Sequence, residues 1–422
     1  MKVRIARIAA IGLTLLLALV VAACGKADDD SGGSAGAGGV KTGPGVTAKT
    51  ITLGQLTDLS GVFAPVATAL TQAQELYWKE RNAAGGVCGR QVKLVNKDAA
   101  YDVQKAVSLY RDTEPDVAAF SQVVGSPTIA ALLPTFERDS MLAVAAAWPP
   151  AFLDAKTVSI VGATYDIEAI NGIEWMVENK GLKKGDAIGD LYFEGDFGEG
   201  GLIGVKYAAE KLGLRLIEQK IKATDEDMSS AAAKFKREGV KAIWVTTAPG
   251  QLASLAGVAK STGLDVPIGT NGPVFAPQLL STPVGNTLAE NVTVFNSNAA
   301  YSADNPAVKK LAAAYEKAYP KGVPQQAVVT GYSEAQVMDA ILKQACENKD
   351  LSRAGLVTAF RQLSGVDTQG LVAGDLDFTN VGQSSSKAVY AHDVDKAAPG
   401  GLKTVGDVLN YPTAQSYERK TE

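Results

Sequence analysis

The residues best placed to do chemistry in this chain stand at the start of an apolar-faced helix. Gly125-Ser126-Pro127-Thr128 opens that segment, with Ser126 where an N-cap belongs and Pro127 at the favoured first helical position. Ile129, Leu132, Leu133 and Phe136 follow at i, i+3, i+4 and i+7, which puts four apolar side chains on one helical face. Such a helix end presents unpaired N–H groups together with the hydroxyls of Ser126 and Thr128, a ready seat for a carboxylate or another anion. The chemistry on offer is binding rather than bond making. Val123-Val124-Gly125 reads as the loop before this helix, and the apolar run Met141 to Ala147 reads as a buried strand ending on Trp148-Pro149-Pro150. Two strand ends carrying Ser/Thr and an aromatic look like half of a small-molecule cleft. An ordinary βα unit whose cap serves only its own helix is the alternative reading of the same residues.

Other chemistries find little to work with. The single histidine, His392, has no companions at metal-ligand spacing, so a catalytic zinc site is not expected. Asp225-Glu226-Asp227 lacks the remaining ligands and the turn glycine of a calcium loop and reads as a solvated helix start. No nucleophile elbow, Walker loop or metal-binding histidine pair is present. Gly198-Glu199-Gly200-Gly201-Leu202-Ile203-Gly204 approaches a dinucleotide fingerprint, but its third glycine comes one position late. The expectation is a protein without cofactor or metal that is not an enzyme. A net charge of −4, with 41 basic against 45 acidic residues and no basic block, argues against a nucleic-acid partner.

The elements that would position these residues alternate. The 422 residues suffice for two cores. Strands are expected at Ile51–Leu56, Gln91–Asn96, Ala187–Phe193, Leu214–Gln219, Ala242–Thr246, Val266–Gly269 and Val292–Phe295. Helices are expected at about Val66–Asn82, Val103–Arg111, Ile167–Glu178, Gly201–Lys211, Ser229–Glu238 and Leu252–Ser261. Three more follow at Ala307–Ala318, Val328–Glu347 and Leu351–Leu363, then a short β region over Leu371–Tyr390 and a loosely held polar tail after Tyr411. Strand–helix alternation of this kind implies an α/β fold with mostly parallel sheets covered on both faces.

Ahead of this body, Lys2, Arg4 and Arg7 precede an apolar run from Ile8 to Ala23 that is short for a membrane span and reads as a secretory signal. Val21-Ala22-Ala23-Cys24-Gly25 resembles a bacterial lipoprotein box, which implies lipidation at Cys24 and anchoring by buried acyl methylenes. The Gly/Ser/Ala/Asp-rich stretch that follows reads as a flexible leash. With Cys24 assigned, Cys88 and Cys346 remain, and an even remainder outside the cytosol favours a Cys88–Cys346 disulfide.

Ser60-Gly61, Gly85-Gly86-Val87-Cys88-Gly89-Arg90, Asp98 with Ala106-Val107, Gly125-Ser126-Pro127-Thr128 and Phe197-Gly198-Glu199-Gly200, in that order, resemble one family. They are similar to the type I periplasmic binding proteins of the leucine/isoleucine/valine kind, the extracytoplasmic substrate-binding components of ABC importers. The resemblance implies two doubly wound lobes joined by a three-strand hinge, with ligand held between them. It implies lobe I over 50–165 and 299–368 and lobe II over 166–298 and 369–397, after a signal peptide at 1–23 and a linker at 24–49, with a C-terminal tail at 398–422. It further implies that Ser126 holds a ligand carboxylate, that Ala146 and Ala147 offer backbone groups, and that Trp148 and Phe197 supply aromatic surface. Asn271 falls where amino-acid binders carry the acid that pairs with the ammonium, and Trp148 where they usually carry Ser or Thr. Those two departures weaken the case for a plain α-amino acid and suit a carboxylate or amide with an apolar or aromatic body. Ser60, Phe63, Thr128 and Thr247 complete the expected ligand set. The implied partners are a small-molecule ligand, ABC permease subunits and, through the lipid anchor, a membrane, with the protein acting as a monomer. A ligand-sensing receptor on the same fold, without transport, is the alternative.

Overall fold

The computed structural model describes residues 39–419; the signal segment, Cys24 and the first part of the leash lie outside them. Helices in chain order are α1 (Ala64–Ala83), α2 (Val103–Thr113), α3 (Ser126–Asp139), α4 (Tyr165–Asn179), α5 (Asp196–Leu212) and α6 (Ser229–Arg237). They continue as α7 (Pro249–Thr262), α8 (Gly285–Asn291), α9 (Pro306–Ala318), α10 (Gln326–Glu347) and α11 (Arg353–Phe360).

Two sheets organise them. The first is all parallel, in the order Gln91–Asp98, Thr50–Thr57, Ala119–Val124, Ala143–Ala146, Val158–Ile160. Its inner strands are continuous buried runs, as a parallel sheet covered on both faces requires. Leu53, Leu142 and Val144 pack against Met338, Ile341 and Leu342 of α10 on one face. On the other, Phe120 and Val123 meet Ile129, Leu132 and Phe136, the apolar face of α3. The second sheet has seven strands, ordered Leu402–Leu409, Val389–Val394, Val292–Asn296, Ile268–Asn271, Val240–Thr246, Ala187–Phe193, Arg215–Ile221. Its first two strands run antiparallel to their neighbours.

The chain passes between the sheets three times, and serine hydroxyls stitch the passages. Ser297 Oγ accepts from Ala163 N (2.7 Å) and donates to Ala388 O (3.1 Å). Ser385 Oγ accepts from Gly162 N (2.9 Å) and donates to Ile160 O (2.9 Å). Ala373 N donates to Ser297 O (2.8 Å), closing the set.

Several expectations are corrected. Val123-Val124, expected as loop, ends the Ala119–Val124 strand, because that strand is central and its ladder continues on both sides. The expected Val266–Gly269 strand lies over Ile268–Asn271, so Asn271 ends a strand rather than sitting in a loop. α5 starts at Asp196, five residues before the expected Gly201, and carries Phe197 in its first turn. The near-fingerprint glycines lie inside that helix and serve close packing: a Cβ on Gly204 would come within 2.2 Å of Asp166 O in α4, and one on Gly201 within 2.4 Å of Thr246 Oγ1.

The linker expected over 24–49 is packed from residue 41. Lys41–Thr42 pairs with Asp350–Leu351, and Gly45, at φ +74°, fits where a Cβ would strike Ala118 N at 2.2 Å. Part of the C-terminal tail expected over 398–422 belongs to the second sheet: Leu402–Leu409 is an edge strand, kept solvent-compatible by Lys403 and Asp407. Beyond it, Lys387 Nζ donates to Ala414, Gln415 and Tyr417 carbonyls (3.2, 3.0 and 2.8 Å), and the Tyr417 ring lies 4.7 Å from that of Tyr207. Cys88 and Cys346 are joined, with Cα atoms 6.5 Å apart, tying the turn after α1 to the last turn of α10. Among the described residues no helix is long and apolar enough to cross a membrane.

Candidate functional site

In both sheets the functional side chains follow the carboxyl ends of strands, where parallel α/β sheets place their crevices. Phe63 follows Thr50–Thr57, Ser126 follows Ala119–Val124, and Ala147 and Trp148 follow Ala143–Ala146. From the second sheet, Phe197 follows Ala187–Phe193, and Gly272 and Pro273 follow Ile268–Asn271. These ends face one cleft with about 920 Å³ of atom-free space, part of it open to solvent.

Its walls are overwhelmingly apolar. Val66, Ala67 and Leu70 of α1 line it with Val124, Val161, Ala163, Phe275, Ala327 and Leu402. A chain of rings runs along it: Tyr101 to Phe63 (centroids 4.9 Å), Phe63 to Phe197 (5.9 Å), Phe197 to Tyr165 (4.8 Å) and Tyr165 to Trp148 (6.0 Å). The Phe63–Phe197 contact joins residues that follow strands of different sheets. Trp148 is half-buried and donates Nε1–H to Val161 O (3.0 Å), which fixes its ring plane.

The polar groups are few and mostly paired with one another. Asn296 and Gln326 exchange amide hydrogen bonds, Gln326 Nε2 donates to Asn298 O (2.8 Å), and Thr330 Oγ1 donates to Asn298 Oδ1 (3.0 Å). Ser126 differs. It is the first residue of α3, preceded by Gly125 at φ +99°, rather than the cap. Its hydroxyl makes no capping bond and lines the cleft although the residue is 2% exposed. The expected N-cap role is thus taken by glycine: the turn requires a positive φ, which leaves the hydroxyl for the cleft.

Among the described residues the lining holds one acid, Glu168, and no lysine, arginine or histidine. Glu168 sits in the first turn of α4, 3% exposed. Asn271 Nδ2 donates to its Oε2 (2.7 Å), and the Gly272 backbone N–H also hydrogen-bonds it. Burial nevertheless holds its carboxyl well above the usual range, with the nearby Asp166 charge adding to the effect. The Asn271 amide is oriented from behind: Thr246 Oγ1 (2.8 Å) and Trp244 Nε1–H (3.3 Å) both donate to its Oδ1. An indole N–H only donates, so the amide nitrogen must face Glu168.

Of the residues expected to meet ligand, Phe63, Ser126, Ala146, Ala147, Trp148 and Phe197 come together on the cleft wall. Ser60, Thr128, Thr247 and Asn271 are not on it. Ser60 Oγ donates to Asp98 Oδ2 (2.7 Å) and braces the loop before α1. Thr128 is buried in the first turn of α3, and Thr247 donates to Ala248 O (3.1 Å). Asn271 stands behind the wall, orienting Glu168. Glu168, Tyr101, Tyr165, Phe275 and the amides of α10 were not anticipated. An acid in the first turn of a helix is ordinarily read as complementing the helix dipole, which hid Glu168. The Tyr165/Glu168 spacing of i, i+3, which puts both on one face of α4, was the available signal.

The periplasmic binding protein family matches residues 50–399. The chain belongs to that family. It is a type I periplasmic binding protein, an extracytoplasmic solute-binding protein and not an enzyme. A fatty acid ABC transporter substrate-binding protein from Thermomonospora curvata is 44% identical, over 91% of this chain and 98% of that one, with a TM-score of 0.88. A branched-chain amino acid ABC transporter protein from Thermus thermophilus with bound valine is 17% identical, over 87% of this chain and 98% of that one, with a TM-score of 0.75. A solute-binding protein from Rhodopseudomonas palustris in complex with 3,4-dihydroxybenzoic acid is 18% identical, over 86% and 97%, with a TM-score of 0.71. The last two share the fold. No curated protein matches the chain.

Proposed function

We propose that this periplasmic binding protein captures a monocarboxylic acid with a long apolar body, of the fatty-acid class, and delivers it to the permease of an ABC importer. The observation that carries the reading is the lining: a cleft of aliphatic and aromatic side chains with the Ser126 hydroxyl at a helix N-terminus and, among the described residues, no lysine, arginine or histidine. Ser126 and the first-turn amides of α3 hold the carboxyl group. Phe63, Phe197 and Trp148 cover the body, and Ala146 and Ala147 keep the wall shallow enough for a chain to pass. The Thermomonospora curvata likeness, at 44% identity, supports the same class. The passages at Ile160–Tyr165, Asn296–Ala299 and Leu371–Ala388, stitched by Ser297 and Ser385, form the hinge between lobe I and lobe II. Lipidation at Cys24 tethers the body to the membrane that carries the permease.

A second reading rests on Glu168. Its carboxylate can pair with the ammonium of an amino acid, restoring what Asn271 lacks. Titration calorimetry of the mature protein with saturated monocarboxylates of increasing length and with leucine separates the two. Each added methylene should tighten binding by about 0.8 kcal/mol, roughly fourfold in Kd, until the cleft is full. Leucine binding without such a length series overturns the fatty-acid reading.

A further inference from the structure

The structure carries one inference that rests on the reading above and deepens it. We propose that Glu168 is a specificity-determining residue that meets the ligand carboxylate as a carboxylic acid, so that the cleft takes up an anionic ligand together with one shared proton.

The argument starts from what surrounds the group. Glu168 lines the cleft, where no lysine, arginine or histidine stands among the described residues. Its donors are neutral: the Asn271 amide, locked in orientation by Trp244 and Thr246, and the Gly272 backbone N–H. On its own helix, Asp166 adds a negative charge, and Tyr165 adds an uncharged ring. Lys387 lies near enough to act on Asp166, but its ammonium is held by three carbonyls of the C-terminal segment. From the Val389–Val394 strand, His392 is buried, bonded to Asn298 O and Thr404 Oγ1, and lowered to about 4, so it brings no charge. Among the described residues, no cation acts on Glu168 to compensate a charge there.

A bound carboxylate would add a second acid to this wall. Two ionised carboxyls in a water-poor apolar cleft repel strongly, and such pairs keep one proton between them. The neutral Glu168 carboxyl then donates O–H to the ligand oxygen, a short charge-assisted bond. The pair carries one negative charge in total, which Asn271, Gly272, Ser126 and the α3 amides can stabilise without a cation. An ammonium ligand requires the opposite state, an ionised Glu168, so the residue sorts acids from amines by its proton.

The test is the pH profile of dodecanoate binding to the mature protein and its Glu168→Gln variant, from about pH 6 to pH 9. Glutamine keeps a donor toward the ligand and cannot ionise. For the native protein, Kd should be flat while Glu168 is protonated in the free state and then weaken up to about tenfold per pH unit. Calorimetry in buffers of different ionisation enthalpy should register proton uptake over the same interval. The Glu168→Gln variant should bind within about fivefold of the native protein at the low end, with neither slope nor uptake. Superimposable profiles for the two proteins overturn the proposal, as does proton release on binding. Where the variant fails to fold, uptake by the native protein decides alone. Failure of dodecanoate to bind at all removes the fatty-acid reading itself, and is thereby told apart from a failure of Glu168.

Discussion

The polar clusters around Glu168 and Glu334 are each built on a buried acid with a side-chain amide partner and differ in what they face. Glu334, on α10, is fully buried beneath the first sheet; its Oε2 accepts from Gln74 Nε2 (3.2 Å). Gln74 in turn donates to Ser121 O (2.9 Å) and accepts from Gln55 Nε2 (2.9 Å), so the cluster joins α1, α10 and two strands. Glu168 has the same kind of amide partner, Asn271, but lines the cleft, which Glu334 does not. Burial lifts both carboxyls well above their ordinary range, as first cause in each case. Desolvation therefore does not mark a binding residue. Placement at the wall of an apolar cleft does.

The largest contrast comes from truncating each acid. Glu334→Ala leaves a hole and a buried Gln74 donor without its partner, and should lower unfolding stability by about 3 kcal/mol in urea melts while ligand affinity stays within twofold or so. Glu168→Ala should reverse the pattern, weakening carboxylate binding by about 2 kcal/mol with a smaller change in stability. Equal losses of stability and affinity in both variants would erase the distinction between the clusters.

The pH dependence of stability sharpens it further. Each carboxyl is raised above its unfolded value, so the native state holds the extra proton and unfolding free energy falls as pH rises above about 4.3. His392 acts in the other sense: lowered to about 4, it withdraws stability as pH falls through its ordinary value toward that one. Glu334→Gln should flatten the alkaline decline of urea midpoints between about pH 5 and pH 8 and leave the acid limb unchanged. A decline as steep as in the native protein would place the ionised form of Glu334 in the fold. The smallest effect is expected at Ser126. Removing its hydroxyl in Ser126→Ala should cost about 1 kcal/mol of ligand affinity, roughly fivefold, and almost nothing in stability, because it caps no helix.

Alternation of apolar runs made most of the strands and helices legible, since Ala187–Phe193 and Ala119–Val124 are fully buried and α3 repeats its apolar face at helical spacing. Edges and ends were harder. Leu402–Leu409 is a half-exposed edge strand with charges in it, so its pattern resembled a tail. Lys387 carries no local sign of its role, because the three carbonyls that hold its ammonium lie 27 to 30 residues further along the chain. In the site, Ser126, Ala146, Ala147, Trp148 and Phe197 could be read because each follows a strand end with a local signature. Tyr101 and Phe275 could not, because nothing within a few residues of either announces the cleft, and Glu168 offered only its i, i+3 spacing from Tyr165.

By itself the sequence determined the α/β class, the position of the α3 N-terminus and the pair of cysteines left once Cys24 is set apart, all of which rest on local periodicity, turn chemistry and count. Only the tertiary structure decided that Asn271 stands behind the wall and Glu168 upon it. That choice depends on which strand ends meet across the cleft, and on a donor-only indole from a neighbouring strand turning one amide toward one carboxyl. These contacts span 27 and 103 residues of chain, beyond the reach of any local pattern.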